Sequence, residues 1–474
     1  MLGIKNRKSF VDVCHKEFGR KIIYTNTKEI NATNVVQELG KALSKHWQNR
    51  AEIEYLDRYY RGDQPILYRV KKIRKDINNK MVENHAFEIV EHKTAEMFAE
   101  PIQYVQKKAE DSIGDGINKL NTMMDSEDKG ACDIEIGRWR SICGTAYRFV
   151  WNDKTANLIL DEAPFGISCE DPRDTFVVYY SGSGHKSMFS CQIRKDEENQ
   201  IYYFIYTNKY WFEIKGGKII RSGKNGIRMI PVIEYPNNER RLSDLEIVIT
   251  MLDQLNKIQS ERMNGVEQFV QALMKFINCK IDKDTFLEML DLGAINVKCT
   301  QQGVKADVEN MTSELNQEQT QIVKDDIYDN ILTVEGMPSR EQNTGGDTGQ
   351  AVYLRNGWDF AEQRAALGEP IFKKSERNFL RVVLSIMRIK DVMELKLSDI
   401  DIKITRSKTD NMSVKANVLT LLLNAGVEPG IAIKTCNLWS DPQQVTIDSK
   451  PYMDAKYSPQ QEKDNIGELV NQTE

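Results

Sequence analysis

The chain has 474 residues, of which 40% are hydrophobic and 28% charged, with a formal net charge of −5. That length exceeds what one small core needs, so two or more lobes are expected. The acidic balance argues against a surface built to grip nucleic acid by its phosphates, though it leaves open contact with DNA that must slide.

No run of eighteen apolar residues occurs, so no bilayer span is expected, and Met1–Lys8 lacks the apolar stretch of a secretory signal. The eight cysteines (Cys14, Cys132, Cys143, Cys169, Cys191, Cys279, Cys299 and Cys436) include no C-x-x-C pair. Structural zinc is therefore not expected, and reduced thiols in a cytoplasmic compartment are.

In chain order, residues 1–30 read as a mixed N-terminal arm. A helical pattern follows from Asn31 to Tyr60, with Thr33 or Asn34 as its cap, and Arg61-Gly-Asp-Gln-Pro65 ends it. A second helix from about Asn84 to Glu100 is stopped by Pro101. Between Cys143 and Tyr235 the pattern turns to β. Alternating segments at Thr175–Tyr180, Met188–Arg194, Ile201–Thr207 and Tyr210–Ile214 are separated by turn-forming sequence. This predicts an antiparallel meander and disfavours a doubly wound nucleotide-binding fold.

The stretch from Ile230 to Phe276 is the most informative. Paired prolines and asparagines close a β run, and Ser243 with Glu246 three residues on has the spacing of a helix capping box. Apolar residues then recur every seven: Leu245, Leu252, Val266 and Leu273 on one register, Val248, Leu255, Phe269 and Phe276 on the other. A helix of about 34 residues would span roughly 50 Å. Gln259 and Arg262 interrupt the stripe. Two readings stand: a core helix with a polar break, or a strut that meets other copies of itself and carries a polar girdle.

Next comes a compact insert, 278 to about 310, with short strands near Cys279–Ile281 and Ala294–Cys299 and a helical turn at Thr285–Leu290. A second helix from about Ser313 to Leu332 can run back beside the first. The glycine-rich segment Gly336–Gly349 reads as a long loop, and such loops are usually functional or disordered. A helical stretch from Gln350 to Lys390 carries Gly368 and Pro370, which predicts a kink. A strand at Asp401–Thr405, a helix at Ser413–Asn424 closed by Gly426, and a short helix before Asp441-Pro442 follow. The last thirty residues read as a polar, frayed tail.

The candidate motifs weigh lightly. Ser181-Gly-Ser-Gly-His-Lys-Ser187 is not a phosphate loop, because His185 separates Gly184 from Lys186 and a strand, not a helix, follows. His85, Glu88 and His92 share a helix face but lack the spacing and further ligands of a metal site. Arg61-Gly62-Asp63 is a turn. Arg69–Lys75 is the densest basic run, a solvated face by default and otherwise a nucleic-acid or capsid contact. No nucleophile–base set stands out, so no catalytic residue, metal or cofactor is expected.

Several of these segments together resemble the tailed-bacteriophage portal proteins, in the siphophage type of Gram-positive hosts. Tyr59-Tyr60-Arg-Gly62, Pro65-Ile66, Asn78, Asn84 and Ile89-Val90 are similar to the family's N-terminal wing. Ile230-Pro231-Val232, Tyr235, Asn237-Asn238, Ser243–Glu246, Asp253, Asn256 and Ser260 resemble the start of its stem helix. Gly346, Gly349 and Ala351 fall where the family has a glycine-containing loop, and Arg406, Asn411, Ala425-Gly426-Val427 and Asp441-Pro442 are similar to its crown. The likeness runs collinearly from about 45 to 445.

The resemblance implies an α+β subunit with a mixed α/β wing, long antiparallel stem helices, a small α/β clip and a helical crown. On this sequence the wing would be 31–242, the stem helices 243–277 and 313–335, the clip 278–312 and the tunnel loop 336–350. A kinked helix and strand at 351–410, a crown at 411–440 and the tail at 441–474 would follow. It implies a homo-oligomeric ring, dodecameric in the virion, at one capsid vertex. Double-stranded DNA would pass through without sequence specificity, driven by terminase, and leave at infection. Further partners would be the major capsid, scaffolding and head-completion or adaptor proteins, with no membrane, and assembly in the host cytoplasm. Stem packing would fall to the two heptad registers above. Gly336, Arg340, Gln342, Asn343, Gly345, Gly346 and Gly349 would line the DNA tunnel, with too little charge to hold DNA fast. Lys280, Asp282, Lys283, Asp284, Lys298, Gln301 and Gln302 would form the partner-binding rim of the clip. The competing readings are another phage head or tail protein, and a metal-dependent DNA-processing enzyme, which would want acidic residues clustered at strand ends.

Overall fold

The computed structural model describes residues 9–10, 17–72, 75–107, 111–156, 162–270, 273–277, 281–284, 286–287, 307–311, 317–338, 357–405, 412–436, 438–439 and 442–457. Two compact units interleave along the chain. One comprises Met1–Phe18, Glu54–Ile89 and Asp244–Arg364, and the other Gly19–Ile53, Val90–Ser243 and Ala365–Glu474.

The N-terminal elements are β1 (Ile23–Thr25), α1 (Val35–Tyr60), α2 (His85–Phe98), β2 (Gln103–Gln106), α3 (Asp111–Ser126) and α4 (Lys129–Cys143). The strands β3 (Thr145–Asn152), β4 (Phe165–Glu170), β5 (Thr175–Tyr180), β6 (Ser187–Lys195), β7 (Ile201–Tyr206), β8 (Tyr210–Lys215), β9 (Lys218–Lys224) and β10 (Val232–Pro236) follow. Then come α5 (Asp244–Val270), β11 (Leu273–Ile277), β12 (Asp307–Met311), α6 (Gln317–Glu335) and α7 (Trp358–Ile389). The chain closes with β13 (Ile400–Lys403), α8 (Met412–Asn424), α9 (Pro429–Cys436) and α10 (Pro442–Tyr457).

The expected meander is present as β5 to β9, each strand antiparallel to the next. Its alternating residues bury one face: Phe176, Phe189, Ile205 and Phe212 pack with Val35, Leu39 and Ala42 of α1. Several elements were not legible: the strands β1, β2, β9 and β12 and the helices α3 and α4. β1, inside the expected arm, adds to the sheet edge in parallel with β5, Ile23 opposite Val178. A second sheet, β10-β3-β4, and the pair β13-β2 share the larger core with α7. Phe372, Phe379, Val383 and Met387 of α7 lie there among Leu120, Ile136, Val150 and Phe165. Pro370 sits inside α7, which is one helix from Trp358 to Ile389. The polar tail needs correction, because Pro442–Tyr457 is helical. Proline at the first helical position lacks only an N–H that would be unpaired anyway, so Pro442 can start a helix.

Four buried charges sit inside this core. Arg148, on β3, pairs with Asp133 of α4 and, at 3.1 Å, with Glu376 of α7. Lys129 pairs with Asp133 at 2.5 Å and with Glu376 at 2.9 Å. The hydroxyls of Tyr104 and Tyr235 donate to the two Glu376 oxygens at 2.6 and 2.7 Å. Two cations and two carboxylates thus balance, and the rings of Tyr235 and Phe379 flank the Arg148 guanidinium. Burial by itself would raise the Glu376 carboxyl, but Lys129 and Arg148 outweigh it and hold the group below the ordinary carboxylate range.

The segment before α5 is clamped to the end of α4. Gly144 takes φ +82°, and a Cβ there would stand 2.0 Å from the Arg241 carbonyl oxygen, so only glycine fits. The Asn237 N–H donates to the Gly144 carbonyl, and the Asn238 side chain accepts from the N–H groups of Arg240 and Leu242. Arg241 forks onto buried Glu234 at 2.6 and 3.0 Å. The Ser243 hydroxyl lies 2.7 Å from the Ile142 carbonyl, to which it can donate.

Glu376→Gln leaves Lys129 and Arg148 with one carboxylate between them, and removing one partner of a buried pair costs about 3–5 kcal/mol. Denaturant unfolding of this variant is expected to show a loss of that order at pH 7. Because the folded carboxyl titrates below its ordinary 4.5, its stabilisation is present above that pH and is lost as pH falls, so the two proteins should converge in acid.

Candidate functional site

The candidate site is built on α5 and α6, which pack along each other. The first half of the heptad seam lies inside the chain: Leu245, Val248, Leu252 and Leu255 are all buried. Val266 is not, at 39% exposed, and Phe269 lies in the last turn of the helix. The helix is shorter than its heptads suggested. It ends at Val270, and Leu273 and Phe276 belong to β11, antiparallel to β12 with Leu273 opposite Met311 and Ile277 opposite Asp307. A short apolar run fits helix and strand periods alike, and here pairing with 307–311 supplies the backbone partners.

The polar break at Gln259 and Arg262 faces α6 of the same chain. Arg262 donates to Gln321 at 2.7 Å, and Lys324 reaches Gln259 at 3.4 Å. Lys324 also pairs with Glu83 at 2.6 Å, and Tyr328 donates to Glu88 at 2.8 Å. His85 lies between Glu83 and Glu88. Burial would lower its pKa, but the two carboxylates win and raise it to about 9, so the ring is cationic at neutral pH. This accounts for the shared face of His85 and Glu88 as an ion cluster. Among the described residues no group of three or more His, Cys, Asp or Glu is placed to hold a metal ion.

A polar ladder occupies another face of α5. Asn256, Ser260 and Asn264, four residues apart and buried, accept from the backbone N–H groups of Glu83, Met81 and Asn79 at 2.8, 2.9 and 2.8 Å. The Ser260 hydroxyl spends its own proton on the Asn256 carbonyl at 2.7 Å, which leaves its lone pairs to Met81. Asn256 donates onward to Gln64, and Gln64 to Asn84 at 3.0 Å. Outside the ladder, Arg69 and Lys71 pair with Glu261 at 2.7 and 3.1 Å, which takes two cations of the basic run 69–75 into an ion pair. The sequence reading noted Asn256, Ser260, Asn78 and Asn84 only through resemblance. The i, i+4, i+8 spacing of small polar residues was the signal for the ladder itself.

Gly336 stands where the expected loop begins. With φ +65° it closes α6: its N–H donates to the Thr333 carbonyl, and that of Met337 to Leu332. This is the Schellman arrangement, with Met337 and Leu332 both buried. Arg364 adds a bond to the Val334 carbonyl at 2.6 Å. Arg340, Gln342, Asn343, Gly345, Gly346 and Gly349 lie outside the described residues, as do Lys280, Lys298, Gln301 and Gln302. Asp282, Lys283 and Asp284 are described and exposed.

Residues 39–445 match the family model described as phage portal protein, SPP1 Gp6-like. The chain belongs to that family. It is a family of structural proteins, and portal function and a place in the virion come with membership. Similar solved chains come from the neck of an empty gene transfer agent particle computed with C6 symmetry, the virion of a native gene transfer agent, and the neck of the native particle computed with C12 symmetry. Identities are 9%, 10% and 9% and TM-scores 0.47, 0.45 and 0.46, each covering 82% of this chain and 94% of the other. No curated protein sequence matches the portal chain significantly.

Asp253 of α5 offers a pH test of the hairpin. Burial pushes its carboxyl up to about 6, with the Tyr59 hydroxyl at 2.9 Å opposing in part. The folded state therefore binds the proton more tightly than the unfolded chain, and stability falls as pH rises through this window. Asp253→Asn keeps the acceptor for Tyr59 and removes the charge. It is expected to gain up to about 3 kcal/mol at pH 7 at roughly 1.4 kcal/mol per pKa unit. The gain should vanish as pH falls to the ordinary aspartate value of 3.8, checked by urea melts across pH.

Proposed function

We propose that copies of this chain close into a ring, dodecameric in the virion, that forms the DNA conduit at one capsid vertex. A terminase motor packages the genome through it, and the genome leaves through it at infection. The reading includes the siphophage type of Gram-positive hosts, assembly in the host cytoplasm, and capsid, scaffolding and adaptor proteins as further partners. The observation that carries it is the family match over residues 39–445.

The hairpin supports a stem. The first half of its seam is buried within one chain, yet Val266 of the second half and Ile247 and Met263 of α5 are exposed, and Ile322 and Val323 of α6 stay 67% and 51% exposed. Apolar side chains left exposed on both helices suit contact with a neighbouring copy. The β11–β12 pair would lead into the clip, whose exposed Asp282, Lys283 and Asp284 suit a rim that exchanges partners. The segment from 336 to 350 would be the tunnel loop.

Negative-stain images of the purified protein are expected to show closed rings with a central channel, and their absence would refute the reading. Ile322→Asp with Val323→Asp should give folded, soluble protein of monomer mass by light scattering, because neither side chain is buried in the single chain. Unchanged rings would remove α6 from the subunit interface. Deleting Ser339 to Thr344 should leave ring assembly and procapsid entry intact while DNA packaging or retention drops. Wild-type packaging by that deletion would reduce the loop to a tether.

A further inference from the structure

The C-terminal half of α7 carries a charge pattern that neither the core nor the stem uses. Lys374, Arg377, Arg381 and Arg388 are all exposed, while Phe372, Phe379, Val383 and Met387 of the same helix are buried. At 100° per residue the four cations fall within about 60° of one another, a single stripe of about 21 Å. From Lys374 to Lys390 the one carboxylate is Glu376, which is buried in the charge network. Among the described residues none of the four has an ion-pair partner, and Arg381 bonds only Asn378, at 2.7 Å.

A solvated helix face ordinarily mixes signs. Here Lys374–Arg377 and Arg377–Arg381 set like charges three and four residues apart, which destabilises a helix by about 0.2–0.5 kcal/mol per pair. The helix dipole compensates a cation such as Arg388 in the last turn, but not Arg377 or Arg381 further back. In a chain of net charge −5, a one-signed stripe kept at that cost points to an anionic partner.

We propose that this stripe is a contact for the phosphate backbone of duplex DNA. The inference rests on the portal reading and adds to it a named DNA-facing surface. Three of the four cations are arginine, whose planar fork matches phosphate oxygens, and Asn378 beside them adds a neutral donor. The stripe has the length of about six base-pair steps at 3.4 Å per step, enough to meet several phosphates. An acidic protein partner fits less well. Protein interfaces centre on buried aromatic or apolar anchors, and between Lys374 and Arg388 the exposed side chains are those four cations and Asn378. Binding through backbone charge alone is also independent of sequence and permits sliding.

The test is fluorescence anisotropy of a labelled 30-base-pair duplex with the purified full chain over a salt series. It is run beside negative-stain images and thermal melts of the same samples. Arg377→Gln with Arg381→Gln should keep the rings and the melting temperature. It should weaken DNA binding at low salt and reduce the slope of log K against log salt by about 1.8, at about 0.9 per phosphate contact. Arg377→Lys with Arg381→Lys keeps the charge and should retain the wild-type slope. An unchanged slope and affinity in the glutamine variant, with rings intact, would overturn the stripe and leave the portal reading standing. So would absence of DNA binding by the wild-type ring. Rings lost in the glutamine variant with DNA binding kept would make the stripe a contact between copies, against the proposal. A wild-type protein that forms no rings would instead sink the portal reading.

Discussion

A helix advances about 6 Å in four residues and an extended chain about 6.6 Å in two, so a row of side chains at i, i+4 and i+8 can serve alternate N–H groups of a strand-like neighbour. Asn256, Ser260 and Asn264 do this for Glu83, Met81 and Asn79. The match matters because residues 79–84 belong to no sheet, and buried N–H groups without partners would cost about 1–3 kcal/mol each. The ladder gives the long helix a second packing face without apolar residues. The apolar seam is then free for the first half of the helix, and Gln259 and Arg262 for α6.

The other unit solves a similar problem with full charges. Arg148, Asp133, Lys129 and Glu376 bring β3, α4 and α7 to one buried point, with Tyr104 from β2 and Tyr235 from β10 completing the bonds. Such a network adds little net stability over well-packed apolar residues, but each member is costly to lose once the others are in place. It therefore fixes which face of α7 points inward. The outward face follows from that, and on it lie Lys374, Arg377, Arg381 and Arg388.

The sequence showed much of what local period and turn chemistry decide, though not the helices α3 and α4. Four strands of the meander, β5 to β8, fell within a residue of their observed ends, and Gly426 closes α8 with N–H bonds from Gly426 to Leu423 and from Val427 to Leu422. It did not show what depends on distant partners. β1 is three residues long and becomes a strand only through β5. The heptads ran on past Val270 because Leu273 and Phe276 fit the count, while the choice of strand was made by 307–311, some thirty residues away. Gly336 opens the segment expected as a long loop, while its positive φ serves a helix end, which only the bonds from the Gly336 and Met337 N–H groups to Thr333 and Leu332 reveal. The buried charges gave no signal either, as Asp133 and Glu376 lie 243 positions apart in a sequence whose carboxylates are evenly spread.

Net charge is the coarsest of these signals, and it hid the most. A total of −5 describes the field far from the protein, where salt screens it within about 10 Å. Close to the surface the local arrangement decides. Arg69 and Lys71 look like the strongest basic run in the sequence, yet Glu261 neutralises part of it. Lys374, Arg377, Arg381 and Arg388 never form a run, because helical spacing scatters them through apolar residues, and they become a stripe only when the helix is folded. An acidic protein can thus repel a polyanion weakly at long range and still meet it with a narrow cationic line. For a conduit that combination has a physical advantage: few contacts per copy, each replaceable by the next as the duplex advances, and no broad basic surface to arrest it.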